Sequence, residues 1–175
     1  MAQHFSERFT ARIEGISPLL QHRFTNMPTS TRHDPQEECE AALYTDGNGG
    51  IVQPSSHIES AMIKMAVNHK IPGQGKKTFK DAFRAGIFVQ PLAIPHECLD
   101  WVIDLQPVLV NRARIMRARP RFDKWSLSFE IENIDERILP EILEDVLQEA
   151  GRYSGIGDCR PRYGRFDVVE FAKAS

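Results

Sequence analysis

Between His4 and Glu14, apolar Phe5, Phe9, Ala11 and Ile13 are interleaved with polar Arg8, Thr10, Arg12 and Glu14. A period near two predicts a strand with one buried face. Gly15 and Pro18 end it, and Leu19 and Leu20 are expected to dip into the core. Residues 26–38 are polar, carry two prolines and predict a mobile loop. Residues 38–44 fit a short helix or a strand. Asp46-Gly47-Asn48-Gly49-Gly50 is a strong turn signal, flanked by Leu43-Tyr44 and Ile51-Val52 as a short hairpin.

The period then changes from two to 3.6. Ile58, Ala61, Met62, Met65 and Ala66 recur at helical spacing, ending near Asn68, with Pro72 and Gly73 as stops. Ser56 and Glu59 have the spacing of a capping box. Residues 85–89 and 101–110 predict strands that Pro91, Pro95 and Pro107 keep short or at edges. Pro120-Arg121-Phe122-Asp123 predicts a turn, after which Trp125, Leu127, Phe129 and Ile131 share one face of a strand. A last helix admits Pro140 in its first turn and carries Ile142, Leu143, Val146, Leu147 and Ala150 as its stripe, with Gly151 as the residue that ends it. Arg165 to Phe171 alternates as a closing strand.

Stripped of insertions, the order is β-α-β-β-α-β. This predicts an α+β, ferredoxin-like (RNA-recognition-type) fold with an antiparallel sheet, its two helices on one face and the other face open. The expected organisation is one domain over residues 1–175, with insertions at about 25–55 and about 72–100.

Composition narrows the function classes. No apolar run approaches the ~20 residues of a membrane span, and the first residues lack the apolar segment of a signal peptide. Cys39, Cys98 and Cys159 are odd in number, widely spaced and contain no CxxC pair, which predicts free thiols, no metal site and a cytoplasmic protein without cofactors. The net charge of −2 conceals segregation. Residues 112–124 hold six bases and one acid, +5 in sum; residues 130–149 hold eight acids and one arginine, −7 in sum. Two faces of opposite sign are expected, and a local basic patch sets the field felt by a ligand whatever the average.

The chemistry concentrates near the C-terminus. Gly155, Gly157 and Gly164 stand among Arg152, Arg160, Arg162 and Arg165. Glycine lets a backbone approach a ligand closely, and arginine forks match phosphate oxygens and stack on bases. Arg112, Arg114, Arg117, Arg119 and Arg121 form a second basic group. On a regular strand, 112 and 114 share one face and 117, 119 and 121 the other; a bulge near Ile115-Met116 would unite all five. The competing reading is a solvated hairpin paired with the acidic helix. Lys76 and Lys77, in GQGKKTFK, suit a backbone phosphate, whereas the P-loop pattern fails because Gly75-Lys76 is followed by lysine. Tyr163, Phe166 and Trp125 are candidates for base stacking, with core packing favoured for the last two.

Gly155-Ile156-Gly157-Asp158-Cys159-Arg160-Pro161-Arg162-Tyr163-Gly164-Arg165-Phe166, a glycine-rich loop running from the second helix into the last strand, resembles the mark of the RAMP superfamily of CRISPR proteins. The opening strand followed by Gly15-Ile16-Ser17-Pro18-Leu19 is similar to that superfamily as well. Asp158 and Pro161 depart from its usual small or basic residues. The likeness is strongest to small backbone subunits that polymerise along RNA, and to stand-alone members carried by phages and prophages. It implies a non-catalytic protein that binds single-stranded RNA or DNA and assembles along it as a homo-oligomer or filament, with other effector subunits as further partners. It also implies an alternative, because some members cut RNA without a metal. His22 beside Arg23 would then supply the base and the cation, and Asp34 resembles the loop aspartate with which some backbone subunits cut target RNA. A third reading is a structural subunit that touches only protein. No Ser-His-Asp order or HExxH is present.

Overall fold

The computed structural model describes residues 5–27, 33–110 and 112–174, with the backbone alone at Val110 and Ala113. Four strands form the central antiparallel sheet: β1 (Glu7–Gly15), β4 (Ile87–Gln90), β8 (Ser126–Asn133) and β9 (Phe166–Lys173), in the order β4-β8-β1-β9. The helices α2 (Ser55–Met65) and α4 (Pro140–Glu149) complete a β-α-β-β-α-β frame, the expected ferredoxin-like fold.

Period two explains the sheet. Phe9, Ala11 and Ile13 of β1 face the core beside Leu127, Phe129 and Ile131 of β8, all nearly inaccessible. Phe171 of β9 stacks on Phe9 at 5.2 Å. Ile58, Ala61 and Met62 of α2 and Leu143, Val146 and Leu147 of α4 cover this face. Side chains of this size contribute about 1.5–3 kcal/mol each on full burial, so this layer holds the frame.

Two excursions leave the frame. Residues 16–54 carry β2 (Leu19–Leu20), α1 (Pro35–Ala42) and β3 (Val52–Pro54). Residues 91–125 carry β5 (Ala93–Pro95) and the long hairpin of β6 (Val102–Val110) and β7 (Ala113–Phe122). The second excursion therefore starts after β4, whereas residues 72–100 were expected to hold it. The segment from Lys80 to Gly86 is instead the short helix α3, packed on α2 through Ala82 and Phe83. β2, β7 and β6 make a second sheet, and β3 pairs with β5.

Local chemistry accounts for the other departures. The expected loop over 26–38 gives way to α1 from Pro35, because Asp34 caps it and proline suits its first turn; part of that loop, 28–32, lies outside the described residues. Ser56 caps nothing: α2 begins at Ser55 after Pro54, and Glu59 accepts the Val89 backbone N–H at 2.8 Å. No turn forms at Pro120. The strand runs to Phe122, with Pro120 opposite Ile103. Gly151 does not end α4. The helix widens into a π turn over Ala150–Ser154, and Gly155, at φ 66°, ends it. Gly151 serves packing instead, since a Cβ there would collide with the Phe166 carbonyl oxygen. Among the described residues no helix is long and apolar enough to cross a membrane.

Candidate nucleic-acid interface

The glycine-arginine loop is tied down along its backbone. Ile156 N–H donates to Gly164 O at 2.9 Å, Gly164 N–H to Pro18 O at 2.8 Å, and Asp158 N–H to Leu20 O at 2.8 Å. Arg165 N–H donates to Ser17 Oγ at 3.0 Å. Gly164, at φ 73°, has no room for a Cβ against the Ile156 carbonyl. The loop thus rests on residues 17–20, and this seat fixes where its side chains point. Arg160, Arg162 and Arg165 are exposed and form no ion pair with any described residue. Arg152, on the π turn, is exposed as well.

The hairpin arginines divide by parity. Pairing of β6 with β7 is continuous from Val102↔Arg121 to Val110↔Ala113, so no bulge unites them. Arg112 stands in the turn, at φ 68°, and Arg114 projects from the face opposite Arg117, Arg119 and Arg121. That second trio is matched to acids. Arg117 Nη1 lies 3.1 Å from Glu38 Oε1 of α1, Arg119 Nε 2.8 Å from Asp158 Oδ2, and Arg121 2.7 Å from Asp104 and 2.8 Å from Asp123. The Arg119–Asp158 contact is close but is not an aligned hydrogen bond. The Arg117 pair staples the hairpin to α1 and the Arg119 pair staples it to the glycine loop, while the Arg121 pairs stay within the hairpin. The expected pairing of the hairpin with α4 is absent among them.

His22 lies at this junction. Its Nδ1 is 3.5 Å from Asp158 Oδ2, and its side chain is 52% exposed. The His22 imidazole beside it, with the charge of Arg119 assisting, holds the Asp158 carboxyl down at about 2. Asp34 is elsewhere and already employed: its Oδ1 accepts the N–H groups of Gln36 and Glu37 at 2.9 and 3.3 Å. Lys76 and Lys77 are exposed on a loop pinched by the Lys70–Thr78 bridge, beyond the C-terminal end of α2. Arg160 acts electrostatically on His57 in the first turn of α2, so the lysines and the glycine loop sit at opposite ends of that helix. Trp125 and Phe166 are core residues, and Trp125 Nε1 donates to Ser17 O at 2.9 Å. Tyr163 is half-buried, with Gln106 Nε2 3.5 Å from its hydroxyl.

The open face of the sheet has the opposite sign. Arg8 and Arg12 share it with Glu14, Glu130, Glu132, Asp167 and Glu170, two cations against five carboxylates. Arg12 is itself held by Glu97 at 3.0 Å and by Glu14 at 2.5 Å. A strand of phosphates is repelled there. Sequence reasoning did not anticipate this face, nor the acids Glu38, Asp104 and Asp158 as arginine partners. It also passed over a group formed by the buried Gln21, Gln53 and His96 with the half-buried His57, for which the i,i+4 spacing of Gln53 and His57 was the available signal. Among the described residues no cluster of three His, Cys, Asp or Glu is placed to hold a metal ion, and the three cysteines are free.

No protein-family model matches the chain, and no curated protein matches it in sequence. Its fold matches a chain in the cryo-EM structure of the Type III-B Cmr-beta bound to cognate target RNA, with a TM-score of 0.62 and 10% identity. The chain has a ferredoxin-like fold with an antiparallel sheet. The match covers 97% of this chain and 61% of that one, so the chain spans about three fifths of the matched chain's length. At this identity the likeness is one of fold.

Proposed function

We propose that the chain is a non-catalytic protein that binds single-stranded nucleic acid, RNA in the first place, along its glycine-arginine loop. One observation carries this reading. Arg160, Arg162 and Arg165 stand exposed and without carboxylate partners among the described residues on a loop whose backbone is fixed at several points, while Asp158 of the same loop is taken up by Arg119. A backbone already fixed spares the cost of ordering the loop when its guanidinium forks meet phosphates. The likeness of fold supports the same reading, since the matched assembly is bound to target RNA. Arg112 and Arg114 at the hairpin tip extend the positive surface; Lys76 and Lys77 contribute only to a strand long enough to pass along α2. Growth into a filament on the strand, as in CRISPR backbone subunits or their phage-borne relatives, is part of this proposal. Fluorescence anisotropy with labelled single-stranded RNA and DNA at low salt tests it. Binding with RNA favoured is expected, and the absence of binding to either refutes it.

A second reading, a metal-independent endoribonuclease, is supported by one contact. His22 and Asp158 form a histidine-carboxylate pair beside Arg119, open to solvent. A histidine so oriented can take the 2′-hydroxyl proton while a guanidinium stabilises the phosphorane. On the leading reading, prolonged incubation leaves single-stranded and hairpin RNAs uncut. Cleavage that disappears in His22→Ala while binding persists would reverse the order of the two.

A further inference from the structure

Of the three aromatic residues that the sequence offers for stacking on bases, Trp125 and Phe166 are core residues and Tyr163 is half-buried. The arginine loop accounts for phosphates and leaves the bases without a partner. A different aromatic residue stands open. Phe24 is 88% exposed, the most of any large apolar side chain among the described residues. It lies at a cleft of about 260 Å³ between residues 22–27, α1 and the hairpin.

Met27, Ala42 and Val108 give this cleft apolar walls beside Phe24. Its charged lining is neutralised within the protein. Arg117 Nη1 lies 3.1 Å from Glu38 Oε1, the Ala118 N–H donates to Glu38 Oε2 at 3.1 Å, and Arg119 Nε lies 2.8 Å from Asp158 Oδ2. A phosphate entering here would meet cations that already have anions, and would give up its own water. A neutral flat ring suffers neither penalty. It gains apolar burial on the walls, and the His22 ring and the Thr25 hydroxyl in the lining can exchange hydrogen bonds with a polar edge. Size agrees: pockets for drug-sized ligands run from about 300 to 1,000 Å³, so this smaller one suits a single ring system.

Position links the cleft to the arginine loop. Asp158 of that loop touches two of the lining residues, His22 at 3.5 Å and Arg119 at 2.8 Å. Arg160 follows two positions later, its α-carbon within about 7.6 Å of that of Asp158. One strand can therefore set a phosphate on Arg160 and an adjoining base at the cleft.

We propose that this cleft takes one unstacked base of the bound strand, with Phe24 as the surface on which that base stacks. This rests on the nucleic-acid reading and adds to it a contact with a base, where the arginines contact phosphates. Every base has a π-face, so the site tolerates any sequence.

Fluorescence anisotropy on the full chain tests the site, with a uridine homopolymer strand and a strand of the same length and charge that lacks bases as probes. Phe24→Ala should weaken binding of the uridine strand about tenfold, as the loss of one stacked base does. The slope of log K against log salt should stay as in the wild type, because no phosphate contact is removed. Phe24→Trp should keep the wild-type affinity. The base-free strand should bind wild type and Phe24→Ala alike. A side chain this exposed carries little of the fold, so Phe24→Ala should melt at the wild-type temperature. Equal binding of the uridine strand by both proteins overturns the proposal, although the nucleic-acid reading then stands. So does an equal loss on both strands. If Phe24→Ala keeps full strand affinity but lowers the particle mass of the free protein, the cleft serves a second copy and the proposal falls. If no strand binds the wild type, the nucleic-acid reading falls, and NMR titration with free uridine and adenosine decides the site: movement of the Phe24 ring and Met27 methyl signals supports a base cleft, and their constancy overturns it.

Discussion

Gly164 shows how little freedom single residues of the loop have. Its φ of 73° belongs to the left-handed region, and its α-carbon faces the Ile156 carbonyl with no space between. Gly164→Ala combines backbone strain with a collision against main chain, each a recognised source of large destabilisation. A loss of about 3 kcal/mol or more in denaturant unfolding is expected, with strand binding falling in parallel because the loop loses its seat. His96 sets the response to acid. Burial lowers it from 6.5 to about 4, so the folded protein keeps it neutral where the unfolded chain is protonated. The unfolded state then binds more protons between pH 6.5 and 4, and stability falls as pH drops through that window, by up to about 3 kcal/mol. Glu97 and Asp158, both held down to about 2, add a further loss below the ordinary carboxylate range. Melting temperature measured from pH 7 to 3 should decline in two stages, and His96→Phe should flatten the first.

The elements differ in how far the sequence foretells them. β1, β8, α2 and α4 bury one clean face each, and a period of 2 or 3.6 is enough to find them. The ends were less legible. Asp34-Pro35 looked like loop because proline and polar residues dominate that stretch, yet an aspartate before a proline is also a good helix start. Gly151 looked like a terminator because glycine commonly ends helices, but its reason is the approach of β9, a tertiary fact invisible in a local window. Of the site, the loop and its three free arginines were legible from composition alone. The matching of Arg117, Arg119 and Arg121 to acids was not, because Glu38 is 79 positions from its partner and Asp158 about as surprising a member of a basic loop. Those pairs are partly exposed, so each is expected to contribute at most about 1 kcal/mol to stability. The weight of the Arg117 and Arg119 pairs lies in holding the hairpin against α1 and the loop.

At the scale of the molecule, charge is sorted by surface. The glycine loop and the hairpin tip are positive. The open sheet face is negative, as is the outer side of α4 with Glu141 and Asp145. Unlike surfaces on one molecule favour head-to-tail contact, which propagates into rings or open filaments. Exposed charge pairs are weak, so a monomer is expected at high salt, with assembly driven by a strand that tethers many copies. Light scattering should show particle mass growing with strand length; one protein per strand at every length would refute the filament. The same sorting yields the most direct test of nucleic-acid binding through the loop, the salt dependence of the affinity for a single-stranded RNA, measured by anisotropy on the wild-type protein and on Arg160→Ala with Arg162→Ala. Each phosphate contact contributes about 0.7 to the slope of log K against log salt for a single strand. The account predicts a steep wild-type slope that flattens by roughly 1.4 in the double variant, with about 1–3 kcal/mol of binding lost per contact. An unchanged slope and affinity in that variant would contradict it.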